Sequence, residues 1–319
     1  MSQTKLYEKI IHDFNLPIPM IPSLYEYFFD LYDDLYGTKS LLELLQKECE
    51  KYGGLEEFRK LMHDAKNNII NGISSTEAFK KFNDEKNPDF FIPKGAIPKY
   101  LEKTTHIPFV KSGNVYNHER VGKRYLSIDL EKACFQILRL YDKDIVFNTD
   151  SYDGLIKHFF DSDYMAKSKN LRQVIFGNLS PKRQILVEKY YIGKILSLVL
   201  ERGFMNEEDI CVLNNDEIIF VINDDVTDVK KICKDIYSEI LDNFGLKTHV
   251  EVFDLKEIMK GFFVKEKLDG TVEFKCIPNN FFAQAYKKYK GLELNKNDLA
   301  FLHEGCACHF DEPLRYVEE

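Results

Sequence analysis

The sequence predicts an α+β fold: a mainly antiparallel sheet backed by helices, with a helical N-terminal region and a C-terminal hairpin. Three observations predict it. Residues 1–90 carry apolar positions at helical spacing. From Tyr125 on, the chain reads strand, helix, helices, strand, turn, strand, helix, strand, hairpin. Short polar turns join two of the strand pairs, which is the connection that antiparallel neighbours use.

Within the first region, SLLELLQKECEKY shows an apolar stripe at Leu41, Leu42, Leu44 and Leu45, and GLEEFRKLMHDAKNNIINGI repeats close to every 3.6 residues. Ser74, Ser75 and Thr76 ahead of EAFKKF mark a helix start, with Thr76 as its cap. Pro88, Pro93 and Pro98 then break the periodicity and set a boundary near residue 90. RYLSIDL is a short apolar strand ending at Asp129, and EKACFQILRLYD is a helix. Residues 152–202 read as an inserted helical part, interrupted between Asn178 and Pro181. DICVLNNDEIIFVI at 209–222 reads as two strands around a polar turn. An amphipathic helix from about Val226 to Asn243, the strand LKTHVEVFDL and a hairpin turning at Asp269-Gly270 follow. The expected divisions are 1–90, 91–262 with its insertion, and 263–319.

The chain has 319 residues, 44% of them hydrophobic, and a formal charge of -8, so it can bury a core and is not a wholly basic binder of nucleic acid. The basic residues are nevertheless gathered: 91–139 and 165–202 are net positive. No run is long and apolar enough to span a bilayer, and the N-terminus reads as no secretory signal. Seven cysteines, mostly single within apolar runs, suit a reducing, intracellular compartment.

Asp129 closes an apolar strand, and Asp216 and Glu217 sit in the turn between two more. Carboxylates beside apolar strands need a compensating charge, and divalent cations supply one. Taken singly, each acid reads first as a helix cap or a solvated turn. Between them, Lys169, Arg172 and Phe176 share one helical face ended by Gly177, offering cations to a triphosphate and a ring to a base. The same pattern also fits a surface helix whose Phe faces the core. Lys182, Arg183, Lys287, Lys288 and Lys290 have aromatic neighbours and are candidates for nucleic-acid contact, or a solvated charged face.

An acid at a strand end, then a basic-aromatic-Gly helix, then an acidic β-turn resembles motifs A, B and C of nucleic-acid polymerase palm and fingers regions. SIDLEKACFQIL resembles motif A of family B DNA polymerases, with Asp129 at the metal-binding position. RQVIFG resembles the family A fingers helix, with Arg172 where a triphosphate-binding Lys stands, and NNDEIIFVI resembles its motif C with Asn215 in place of His. The resemblance spans about residues 120–255. It implies template-directed nucleotidyl transfer with two Mg²⁺ or Mn²⁺ ions on Asp129, Asp216 and Glu217. It also implies nucleoside triphosphates and a primer–template as partners, and the cytoplasm or a viral replication site as the setting. Cys134 stands where those families place a larger residue against ribose, which leaves the sugar open. The N-terminal helices are candidates for binding a replication partner. The alternative is a non-catalytic, palm-like nucleic-acid-binding or replication accessory protein. In the tail, His303, Cys306, Cys308 and His309 are zinc donors, though in tighter spacing than a finger.

Overall fold

The computed structural model describes residues 2–84, 114–222 and 228–314. Pro88, Pro93, Pro98 and the lysines at 94, 99, 103 and 111, like Val226, lie outside the described residues. The N-terminal region forms α1 (Gln3–Phe14), α2 (Tyr25–Leu31), α3 (Asp33–Tyr36), α4 (Thr38–Lys51), α5 (Leu55–Ser75) and α6 (Glu77–Asn83). Thr76 caps α6, its Oγ1 accepting from the Phe79 amide at 3.1 Å.

β1 (Arg124–Leu130) leads into α7 (Ala133–Tyr141), α8 (Tyr152–Phe159), α9 (Asp163–Lys167), α10 (Lys169–Gly177) and α11 (Pro181–Glu201). The acidic hairpin is β2 (Ile210–Leu213) and β3 (Glu217–Ile222), followed by α12 (Val229–Phe244) and β4 (Thr248–Met259). β5 (Phe262–Lys267) and β6 (Val272–Lys275) make the Asp-Gly hairpin, with Gly270 at φ +86° as its turn requires. Then come α13 (Phe282–Lys290), which the sequence reading left unassigned, and a second hairpin, β7 (Ala300–His303) and β8 (Cys306–His309).

The main sheet is six-stranded, in the order β2-β3-β1-β4-β5-β6, and every pairing is antiparallel. Its first four strands with α11 and α12 make a β-α-β-β-α-β unit with β1 and β3 central and β2 and β4 flanking them, and β5 and β6 extend the sheet beyond β4. α7 to α10 are inserted between β1 and α11.

Side chains alternate faces along a strand, and here the alternation separates two environments. Leu126, Ile128 and Leu130 of β1 join Ile218, Phe220 and Ile222 of β3 under Ile192, Ile195, Leu196 and Val199 of α11 and Ile236 and Ile240 of α12. The opposite face carries Tyr125, Ile219, Phe253, Leu255 and Phe263, and then turns polar at Ser127 and Asp129. Each fully buried aliphatic side chain in the helix-covered layer contributes roughly 1.5–3 kcal/mol, so the layer fixes β1 and β3 firmly.

The N-terminal helices have no core to themselves. Ile10, Phe28, Leu45, Phe58 and Ile69 pack with Ile137 of α7, Leu155 of α8, Met165 of α9, Ile175 of α10 and Tyr286 of α13. Polar ties reinforce the packing: the Tyr164 hydroxyl donates to Asp13 Oδ2 at 3.0 Å, and Ser168 Oγ to the Asp13 carbonyl at 3.2 Å. Among the described residues no helix is long and apolar enough to cross a membrane.

Candidate active site

Asp129 and Asp216 are brought together by strand pairing. β1 lies beside β3 with Asp129 opposite Glu217, and the Leu130 amide donates to the Asp216 carbonyl at 2.9 Å. The polar turn at 214–216 therefore closes directly over the end of β1. Beyond it the chain reverses through Lys132, at φ +48°, into α7, which carries Cys134 in its first turn.

α10 stands opposite. Ser168 caps it, its Oγ accepting from the Leu171 amide at 3.1 Å, so Lys169 begins the helix and Arg172 and Gln173 follow one turn on. α1 braces the outer side of α10. His12 meets the Asn170 amide nitrogen at 3.1 Å, and Asn15 donates to Gln173 at 3.3 Å. Between α10, the start of α11 and the two aspartates lies a cleft of about 620 Å³. Asp129, Asp216, Cys134, Lys169, Arg172 and Phe176 all line it. That volume falls within the range of small-molecule sites.

Its electrostatics are divided. Burial raises the Asp129 carboxyl to about 7, with Asp216 and Glu217 adding like-charge repulsion and Lys265 opposing it. Glu217 is turned away from the cleft lining, since its Oε1 accepts from Ser127 Oγ at 2.7 Å. Burial likewise pushes the Cys134 thiol up to about 12, with the Glu188 carboxylate beside it adding to the rise. On the other wall the Arg172 guanidinium lies 5.9 Å from the Tyr152 ring centre, which orients it without neutralising it.

Several expected positions need correction. Phe176 reaches the cleft but is only 4% exposed, its ring packed into the core 6.0 Å from Tyr152. Of the large apolar side chains that line the cleft, Ile185 is the exposed one, at 39%. Lys287 is no surface contact: it is 7% exposed and ion-paired with buried Asp298 at 2.8 Å. Lys290 pairs with Asp34 at 2.7 Å. Lys288 and Lys290 line a separate, open groove with Lys256 and Tyr289. Lys182 is exposed on the first turn of α11, and the Arg183 guanidinium lies 6.0 Å from the Phe82 ring.

The four candidate zinc donors are divided between the two faces of the β7–β8 hairpin. In the β7–β8 register His303 faces Cys306 and Ala300 faces His309, so alternation puts His303, Cys306 and Cys308 on one face and His309 on the other. Among the described residues no group of three or more His, Cys, Asp or Glu is gathered to hold a metal ion. For the aspartate pair this is no obstacle, because Mg²⁺ is commonly held by one or two carboxylates with water and substrate phosphates completing its shell.

Glu188 was missed by the sequence reading. It lies on α11, buried, with its carboxylate against Cys134 in the cleft wall. Its i+7 spacing from Pro181 and its place after Gln184 and Ile185 put it on the cleft-facing side of α11. A lone Glu in a mixed helical run carries no such signal. Comparison with protein-family models, curated proteins and solved structures returned no match to this chain.

Proposed function

We propose that the protein is a template-directed nucleic-acid polymerase, or a nucleotidyltransferase of that kind. The observation that carries the reading is one cleft in which Asp129 and Asp216 face Lys169 and Arg172, although these pairs come from distant parts of the chain. Phosphoryl transfer asks a protein for little covalent chemistry. It needs charge stabilisation on the transferring group and alignment of attacking and leaving oxygens.

Lys169 and Arg172 bind the triphosphate, Arg172 through a planar fork suited to phosphate oxygens. Ile185, with the edge of Phe176, forms the apolar wall against which a base packs. Asp129 and Asp216 are the oxygen donors for Mg²⁺ or Mn²⁺. Crowding of like charge at Asp129 fits that role, since a carboxylate held near 7 gains most from a cation. Bound there, such ions stabilise the attacking and leaving oxygens of an in-line displacement at the α-phosphate. Ser127 holds Glu217 beside the pair, where its negative charge supports cation binding from outside the cleft. The exposed Lys182 on α11 and the Lys288 groove are the surfaces offered to the phosphates of a template or primer strand.

The test is extension of a labelled primer on a template, with Mg²⁺ or Mn²⁺ and each set of nucleotides. Extension by the wild type and by neither Asp129→Ala nor Asp216→Ala is the expected result. Absence of extension, with nucleic-acid binding kept in both variants, would leave the non-catalytic binding protein.

A further inference from the structure

Glu188 is a buried acid without a strong partner. It is 6% exposed, and its Oε1 accepts from Cys134 Sγ at 3.4 Å. A thiol is a weak donor, and a buried carboxylate that lacks a good donor or a cation is costly. Among the described residues no lysine or arginine forms an ion pair with it. Burial raises its pKa; the Cys134 bond pulls it down and the nearby Asp216 pushes it up. The neighbouring Gln184 has a different fate. Its amide nitrogen donates to the Phe176 and Leu179 carbonyls, tying the corner between α10 and α11. Glu188, by contrast, lines the cleft with an acceptor in need of a donor.

Its place in the cleft indicates which donor. Under the reading above, on which this inference rests, the α-phosphate lies at Asp129 and Asp216 and the base lies against Ile185. The group between a base and an α-phosphate is the pentose. Cys134, small and in the first turn of α7, shares that stretch of wall with Glu188 and leaves room for a substituent on the sugar.

We propose that Glu188 reads the sugar of the incoming nucleotide, its carboxylate accepting a hydrogen bond from the ribose 2′-hydroxyl, so that ribonucleoside triphosphates are preferred over their deoxy counterparts. The 3′-hydroxyl is common to both sugars, so discrimination rests on the 2′ position. A hydrogen bond to a charged acceptor corresponds to a preference of about tenfold to a hundredfold.

The experiment measures apparent Kd for ATP and for dATP, with Mg²⁺, on a chain-terminated primer opposite a template T. Wild type, Glu188→Leu and Glu188→Gln are compared, and circular dichroism verifies the fold. The expected result is a wild-type preference for ATP of at least tenfold. Glu188→Leu loses it by weakening ATP alone, and Glu188→Gln retains only part of it. Should Glu188→Leu not fold, the isosteric Glu188→Gln decides by the same fall in ATP affinity at constant dATP affinity. Equal wild-type affinities, or an unchanged preference in the Glu188 variants, would overturn the sugar-reading role and leave the polymerase reading standing. Binding of neither nucleotide by the wild type would overturn both.

Discussion

Replacing Asp129 with Asn should stabilise the protein while removing the proposed nucleotidyl transfer. The Asp129 carboxyl is raised from an ordinary 3.8 to about 7, first by burial and then by Asp216 and Glu217. A folded-state pKa above the unfolded one means that the native state binds the proton more tightly. The charged group therefore costs nothing below about pH 4, costs progressively more up to pH 7, and costs its full amount above that. The interval of about 3 pH units corresponds to a ceiling of about 4 kcal/mol. Asp129 keeps part of its surface toward the cleft, and solvent screening there brings the expectation to about 2 kcal/mol. Asn preserves the shape and deletes the charge. Urea unfolding of both proteins at pH 5 and pH 8, without divalent cation, measures the difference. Asp129→Asn should gain about 2 kcal/mol at pH 8 and less at pH 5. Mg²⁺ should then stabilise the wild type at pH 8 and have little effect on the variant. An equal gain at the two pH values, or none at pH 8, would refute the argument that Asp129 is held charged against its surroundings.

Other consequences are checked more briefly. Lys287→Met should destabilise by about 3–5 kcal/mol in urea unfolding, because it strands buried Asp298 without its 2.8 Å partner, and should leave nucleic-acid affinity unchanged. Arg172→Ala should weaken triphosphate binding by about tenfold or more, with Arg172→Lys recovering part of it in the same titration. Alkylation by iodoacetamide at pH 8, mapped by mass spectrometry, should label exposed Cys306 and Cys276 early and Cys134 very late. Only a trace of the Cys134 thiol is ionised when its pKa is pushed up to about 12. Gly72→Ala should unfold at lower urea by about 1–3 kcal/mol, since a new Cβ would stand 3.0 Å from the Phe159 ring in a packed corner.

Much of the fold was written locally. Strand β1, the β2–β3 hairpin, the break between α10 and α11 and the Thr76 cap each depend on residues within a few positions of one another, where alternation, turn chemistry and capping act. So Asp129 at a strand end and Asp216 in a tight turn were legible as positions. Their shared cleft with Lys169 and Arg172 was decided by the sheet order, which sets β3 beside β1, and by the packing of α10 against α1. Burial was decided there too. Lys287 sits in a run of lysines that reads as a solvated face, yet the fold places it against Asp298. Phe176 reads as a stacking ring, yet the N-terminal core claims it. His309 lies on the opposite face of its hairpin from His303, Cys306 and Cys308, because strand register, not spacing along the chain, sets which donors meet. Glu188 had no local mark at all. A carboxylate acquires its character from the solvent it loses and the charges it meets, and both come from elements that lie far from it along the chain.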